Sequence, residues 1–360
     1  MAKQRIRVAV LGGSGYTGGE LLRLLAGHPA VTITTVTAEK SVGLPVSTLF
    51  PNLAETIPLT FTALDPGHLV KQADIVFCAL PHTQSMGPVD HCLQAGVLAI
   101  DLSADYRLKN PDTYHTWYHT PHSKPHLLKK AVYGLPELHR SAIRTTRLVA
   151  VPGCYPTAAI LQLAPLYARN LLQPGSVIID AKSGISGAGR SPALPFHFPE
   201  SHESVKAYKI GEHRHTPEIE QALNSLARQR RSTQAKNHPS DTITFTPHLI
   251  PINRGILSTA YGRLRTPLSL TRLRTLYKKF YEGESFIRQH EDVMAISPSY
   301  VRGSNFCDLG IFFNHRTGQV ITVAALDNLV KGAAGQAIQC MNILLGFPET
   351  TGLDKLPAYP

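Results

Sequence analysis

The chain has 360 residues, of which 43% are hydrophobic and 17% charged, a balance that supports two ordinary domain cores and excludes wholesale disorder. No apolar run reaches the roughly 20 residues that span a bilayer, and Met1-Ala2-Lys3-Gln4-Arg5 runs straight into a strand-like segment, with no signal-peptide core. A net charge of +11 raises nucleic-acid binding, but part of the excess sits in one polar stretch (Arg228, Arg230, Arg231, Lys236, ending at Pro239-Ser240) without aromatic residues to stack on bases. That stretch reads as a solvated loop, so the expectation is a cytoplasmic protein with neither a membrane nor a nucleic-acid partner.

In chain order, Ile6–Leu11 reads as a buried strand, followed by a glycine-rich turn and a helix through Glu20–Leu25 that Gly27 and Pro29 stop. Val31–Val36, Ala73–Leu80 and Val97–Asp101 follow as strands, so the first 150 or so residues read as a parallel α/β dinucleotide-type domain. The Tyr-, His-, Pro- and Lys-rich segment 105–130 reads as an irregular excursion. After residue 153 the strands Val177–Asp180, Thr242–Thr246, Leu257–Tyr261 and Gln319–Ala324 lie further apart and predict an α+β domain with a mixed or antiparallel sheet. A last helix, Asn328–Leu345, carries small residues (Gly332, Ala333, Ala334, Gly335, Ala337) suited to close packing. The expected organisation is thus 1–153, completed by 328–346, and 154–327.

Gly12, Gly15 and Gly18 in Gly12-Gly13-Ser14-Gly15-Tyr16-Thr17-Gly18 give GxxGxxG between a strand and a helix, a variant of the dinucleotide fingerprint. Glycine lets backbone N–H groups approach a pyrophosphate at the positive end of a helix, and Ser14, Tyr16 and Thr17 add hydroxyls. Beyond the second strand, Glu39 suits the ribose of NAD, whereas Thr37, Lys40 and Ser41 suit the 2′-phosphate of NADP; these residues alone leave the choice open. Pro81 and His82 end a later strand, where a parallel sheet lines its ligand crevice and where a nicotinamide would lie.

The five cysteines are scattered and form no CxxC pair, so neither zinc ribbon nor disulfide framework is expected. Cys78 and Cys340 read as core, and Cys92 and Cys307 have no helix-start context. Cys154, in Pro152-Gly153-Cys154-Tyr155-Pro156-Thr157 ahead of an apolar helix, is placed where a helix N-terminus favours a thiolate nucleophile. Its acid/base partner is sought in Gly211-Glu212-His213-Arg214-His215-Thr216-Pro217, as His213 or His215. No third ligand with metal-site spacing follows that pair, so no metal is expected. Arg107, Lys182, Arg190, Arg214 and Arg254 are candidate anion binders, with Arg107 and Arg190 ranked first; Ser183 and Ser186 either touch substrate or shape their turn.

Together with Asp101-Leu102-Ser103-Ala104-Asp105-Tyr106-Arg107-Leu108, Tyr133-Gly134-Leu135-Pro136-Glu137-Leu138, Lys182-Ser183-Gly184-Ile185-Ser186-Gly187-Ala188-Gly189-Arg190 and Asp327-Asn328-Leu329-Val330-Lys331-Gly332-Ala333, these motifs resemble the N-acetyl-gamma-glutamyl-phosphate reductases over nearly the whole chain. The resemblance implies a Rossmann domain plus an α+β catalytic domain of the glyceraldehyde-3-phosphate and aspartate-semialdehyde dehydrogenase type. It implies NADP as cofactor, a homo-oligomer (dimer or tetramer), and an acyl-phosphate substrate reduced through a Cys154 thioester, with His215 favoured over His213. It also brings Ser183, Gly184 and Asn328 into the cofactor set and Arg107, Ser186, Arg190 and Arg214 into the substrate set. Related acyl-phosphate reductases, acting on aspartyl phosphate or on a carrier-linked substrate of lysine biosynthesis, remain alternatives.

Overall fold

The computed structural model describes residues 5–229 and 241–359. Arg228 lies in the helix Thr216–Gln229, and the rest of the basic stretch, from Arg230 to Ser240, falls outside the described residues. The chain divides into two compact units: Met1–Gly153 with Ala333–Lys355, and Cys154–Gly332 with Leu356–Pro360.

The first unit is a six-stranded sheet built from β1 (Ile6–Leu11), β2 (Val31–Val36), β3 (Ile75–Cys78), β4 (Leu98–Asp101), β5 (Val132–Tyr133) and β6 (Leu148–Ala150). All pairings are parallel, in the order β2-β1-β3-β4-β6-β5. The chain leaves β1 for β2 on one side and returns to β3 on the other. The carboxyl ends of β1 and β3 therefore flank the point where winding reverses, the usual ligand crevice of such sheets. The strands are short and buried on both faces, which explains their uninterrupted runs of Val, Ile, Ala and Phe.

Segment 105–130 is more ordered than expected. It contains the helices Pro111–Tyr118 and Pro125–Leu128. Asn110 caps the first, its side chain accepting from the N–H groups of Asp112 (2.7 Å) and Thr113 (3.4 Å), with Pro111 in the first turn. Tyr114 and Tyr118, four residues apart, are buried and stack at 4.7 Å. The cap and the aromatic spacing were present in the sequence but masked by its polar composition.

The second unit holds a mixed seven-stranded sheet of β7 (Ile178–Gly184), β8 (Lys206–Ala207), β9 (Thr244–Ile250), β10 (Ile256–Arg263), β11 (Ile287–His290), β12 (Cys307–Asn314) and β13 (Gln319–Leu326), ordered β11-β12-β13-β10-β7-β9-β8. β7/β9 and β11/β12 are parallel, the other pairs antiparallel. The helix Cys154–Ala168 packs on β10 and β13, beside helices Thr216–Gln229 and Leu270–Phe280. The opposite face places Phe312, Ile321, Tyr261 and Ile178 side by side across four strands, with Phe312 43% and Ile178 45% exposed.

Cys154–Ala168 is almost wholly buried and tolerates an internal proline. Pro165 has no N–H for the carbonyl of Leu161, and the Tyr281 hydroxyl donates to that oxygen instead. Tyr277 donates likewise to the carbonyl of Gln162 (2.5 Å), whose amide reaches Ser258 Oγ at 2.8 Å. The expected final helix is two elements, a π-helical turn Val330–Ala334 and an α-helix Gly335–Leu345.

Candidate active site

In the first unit, β1 ends in a turn that only glycine can build. Gly12 has φ 75°, and a Cβ there would lie 2.5 Å from the carbonyl oxygen of Ala79 at the end of β3. At Gly18 a Cβ would lie 2.6 Å from Gly12 O, so the helix Tyr16–Ala26 starts pressed against the turn. Gly13 N–H donates to Thr37 O (2.8 Å) and Gly12 N–H to Thr37 Oγ1 (3.2 Å). The result is a cradle at a helix N-terminus that any side chain would fill, and it fits a dinucleotide pyrophosphate. Ser14, Gly15 and Thr17 are half-buried at its lip and Tyr16 is exposed.

Thr37 is buried and its hydroxyl accepts the Gly12 N–H, so it braces the cradle. Lys40 and Glu39 are exposed and Ser41 is half-buried beyond it, available to a ribose or its phosphate. Pro81 and His82 lie in the turn after β3; His82 Nδ1 accepts the N–H of Ala104 at 3.1 Å, which leaves the neutral ring's proton on Nε2.

Arg107 is 5% exposed; Nε donates to Val151 O (2.8 Å) and an Nη to Leu102 O (2.9 Å), so part of its guanidinium is bound to the backbone. It secures the segment three residues before Cys154.

In the second unit Cys154 opens its helix and is half-exposed, whereas Cys78, Cys92, Cys307 and Cys340 are buried. Gly332, in the π-helical turn, lies so close that a Cβ there would be 2.8 Å from Cys154 Cβ. Tyr155 anchors the helix start: its hydroxyl donates to His248 O at 3.1 Å and receives the Tyr208 hydroxyl at 3.3 Å. Burial pushes the Tyr155 phenol far up and that of Tyr208 up to about 12, so both stay protonated donors.

Both histidines pack edge-on against Tyr155, His213 at 5.8 Å and His215 at 6.0 Å between ring centroids. They differ in exposure and bonding. His213 is buried, and its Nδ1 accepts the backbone N–H of His215 at 3.2 Å. Burial first, then the charges of Lys209 and Arg214, lower its pKa to about 4. His215 is half-buried. His213 is thus a neutral shaping ring at pH 7, and a neutral buried ring becomes a liability in acid. A histidine that titrates near 6.5 unfolded and near 4 folded stabilises the fold fully above pH 6.5 and loses that contribution as pH falls toward 4. Between pH 7 and pH 5 the wild type is expected to lose about 2 kcal/mol more unfolding free energy than His213→Asn, measured by denaturant titration at both pH values.

Three further expectations meet buried partners. Ser183 is 1% exposed and its hydroxyl donates to Gly184 O at 3.0 Å. Gly184 is pressed against Asn253, whose carbonyl a Cβ would meet at 2.7 Å. Asn328 is 2% exposed; its Oδ1 accepts Gly255 N–H (2.7 Å) and its Nδ2 donates to Ser186 Oγ (3.0 Å). These residues lock the glycine-rich turn after β7 to its neighbours. Ser186 is half-buried with them. Lys182 pairs with Asp180 at 2.7 Å and Arg254 with Asp327 at 3.5 Å, whereas Arg214 is half-buried and Arg190 exposed. Tyr155, Tyr208 and Gly332 were not anticipated: the first adjoins the cysteine in sequence, but the others reach it only through folding. Among the described residues no group of three His, Cys, Asp or Glu side chains forms a metal-binding cluster.

Residues 7–146 match the semialdehyde dehydrogenase NAD binding domain and residues 154–328 the semialdehyde dehydrogenase dimerisation domain. A nicotinamide dinucleotide is therefore the cofactor class of the first unit. An N-acetyl-gamma-glutamyl-phosphate reductase of Geobacter sulfurreducens is 51% identical over 356 residues, covering 99% of this chain and 100% of the relative. That of Syntrophobacter fumaroxidans is 46% identical over 355 residues, with the same shares covered. Among solved structures, aspartate semialdehyde dehydrogenase II of Vibrio cholerae, complexed with ASA, aligns with a TM-score of 0.70 at 15% identity, covering 96% of this chain and 99% of that one. Aspartate semialdehyde dehydrogenase with NADP from Candida albicans gives 0.70 at 14%, covering 95% and 99%. Those two likenesses speak for the fold, and the full-length sequence identity, joined to both domain matches, carries the assignment: the chain belongs to the N-acetyl-gamma-glutamyl-phosphate reductases of the semialdehyde dehydrogenase family.

Proposed function

We propose that this enzyme reduces N-acetyl-L-glutamyl 5-phosphate to N-acetyl-L-glutamate 5-semialdehyde and phosphate with NADPH, a step of arginine biosynthesis. The observation that carries the reading is Cys154, a half-exposed thiol opening a buried helix whose next residue, Tyr155, packs against two histidines. The helix N-terminus favours the thiolate. Its sulfur attacks the acyl carbon, the C–O bond to the phosphoryl group breaks, phosphate leaves, and a thioester remains on Cys154. A bound reduced nicotinamide supplies the hydride that this thioester accepts. His215 then handles the oxygen's proton as the thiohemiacetal collapses and the thiolate is released. Arg190 and Arg214, whose planar guanidinium forks suit phosphate and carboxylate, are the cations assigned to the substrate, together with Ser186. The test is absorbance of reduced nicotinamide after adding N-acetyl-glutamate semialdehyde, phosphate and NADP; turnover only with aspartate semialdehyde would overturn the substrate.

NADP is favoured over NAD by exposed Lys40, whose ammonium suits a 2′-phosphate. Lys40→Glu is expected to raise KM for NADPH roughly tenfold while changing that for NADH less than threefold, since a surface charge pair of this kind carries about 1–2 kcal/mol. Equal losses would remove Lys40 from the site. The dimerisation-domain match and the open apolar row Phe312, Ile321, Tyr261, Ile178 support a homo-oligomer, dimer or tetramer. Ile178→Asp with Phe312→Asp is expected to yield monomers by light scattering; an unchanged mass would exclude this face. A reduced nucleophilic thiol and an NADPH supply both suit the cytoplasm.

A further inference from the structure

The turn after β3 is strained and tightly held. Gln84 N–H closes it on Pro81 O at 3.2 Å, and Thr83, its third residue, has φ 76°. Glycine takes that conformation readily; a β-branched residue does not. The turn begins two residues beyond Ala79, whose carbonyl meets the Gly12 cradle.

One side chain holds it. Asp105, fully buried, accepts the Thr83 N–H at 2.7 Å and the Tyr114 hydroxyl at 2.8 Å on Oδ1. Oδ2 accepts the Ser85 N–H at 3.0 Å and the Ser85 hydroxyl at 2.9 Å. All four partners donate, a set that suits a carboxylate and that an amide meets at one atom only. Asp105 is itself fixed: its N–H donates to Ser103 Oγ (3.1 Å), which donates to Asp101 Oδ2 (2.8 Å), and its carbonyl receives His122 Nε2 (2.7 Å). The adjacent Ala104 N–H is taken by His82 Nδ1. Both sides of the turn are thus tied to the Asp101–Asp105 stretch.

We infer that Asp105 is a positioning residue for the dinucleotide site: its carboxylate pins Thr83 in the left-handed region and thereby sets the Pro81–Gln84 turn against the glycine cradle in the shape that receives the nicotinamide half of the cofactor. The inference rests on the proposed NADPH site. It explains why a threonine stands where glycine would cost nothing: the rigid turn is preorganised by the anion behind it and not by the intrinsic preference of its own residues.

The experiment is a cycle of NADPH dissociation constants, read by nucleotide fluorescence, for wild type, Asp105→Asn, Thr83→Gly and the double variant. Asp105→Asn is expected to weaken NADPH roughly tenfold, as for a buried donor left without its acceptor, while KM for the acyl phosphate and the alkylation rate of Cys154 stay unchanged. Thr83→Gly alone is expected to change little, and in the double variant to restore affinity to within about threefold of wild type, because glycine holds the turn without the carboxylate. Unchanged affinity in Asp105→Asn, or a double variant as weak as it, overturns the inference. Wild-type protein that fails to bind NADPH overturns the underlying site instead. If Asp105→Asn does not fold, Asp105→Ser, which also removes the carboxylate, decides by the same criterion: weakened NADPH restored by Thr83→Gly supports the assignment, and unaltered affinity or no restoration sinks it.

Discussion

Cys154→Ala is expected to abolish turnover, with kcat down about 10⁴-fold or more, the scale at which removing a covalent nucleophile leaves only residual catalysis. The dissociation constant for NADPH should stay within about twofold, because the glycine cradle is built from β1, the following helix start and Thr37, all in the other unit of the chain. Alanine at 154 removes a sulfur from a half-exposed position, so stability should change little. Kinetics, nucleotide fluorescence and mass spectrometry of quenched reactions check the three parts. The wild type should carry an acyl adduct on the Cys154 peptide and the variant none. Normal reduction by Cys154→Ala, or no adduct during wild-type turnover, would exclude the thioester route.

His215→Asn is expected to lower kcat by about 10²–10⁴, the usual contribution of a general acid/base. His213→Asn should cost about tenfold or less, because His213 is expected to act through its neighbour: its Nδ1 receives the His215 N–H and its ring packs edge-on against Tyr155 and Phe245. An amide oxygen can accept that same N–H. With a pKa near 4, His213 is almost never protonated at neutral pH and is a poor proton donor there. If the two variants exchange magnitudes, the assignment is reversed.

Much of the outcome was legible from the residues. The strand–glycine–helix order announced the cradle, and Pro152-Gly153-Cys154 announced a thiol at a helix start. Apolar strand runs separated by helical periods implied a parallel first sheet, and their wider spacing after residue 153 implied the mixed second one. β12 was missed although Cys307–Asn314 is largely apolar, because its direct return into β13 shows only in the antiparallel register. Segment 105–130 was misread because its caps and buried tyrosines are dispersed among His, Lys and Pro.

The polar residues chosen from motifs divided less cleanly. A motif marks a side chain as required without saying for what. Arg107, Thr37, Ser183 and Asn328 each bond to a backbone group, 44, 25, 1 and 73 positions away in the chain.

By itself the sequence determined local chemistry: which residues can turn with positive φ, which can open a helix, which can ionise, and in what order strands and helices alternate. These follow from covalent structure and short-range sterics. Only the tertiary structure decided which polar groups are spent on the fold and which remain to meet a ligand. Burial obliges a polar atom to find a partner, and in Arg107, Asn328 and Asp105 that partner is supplied by distant parts of the chain.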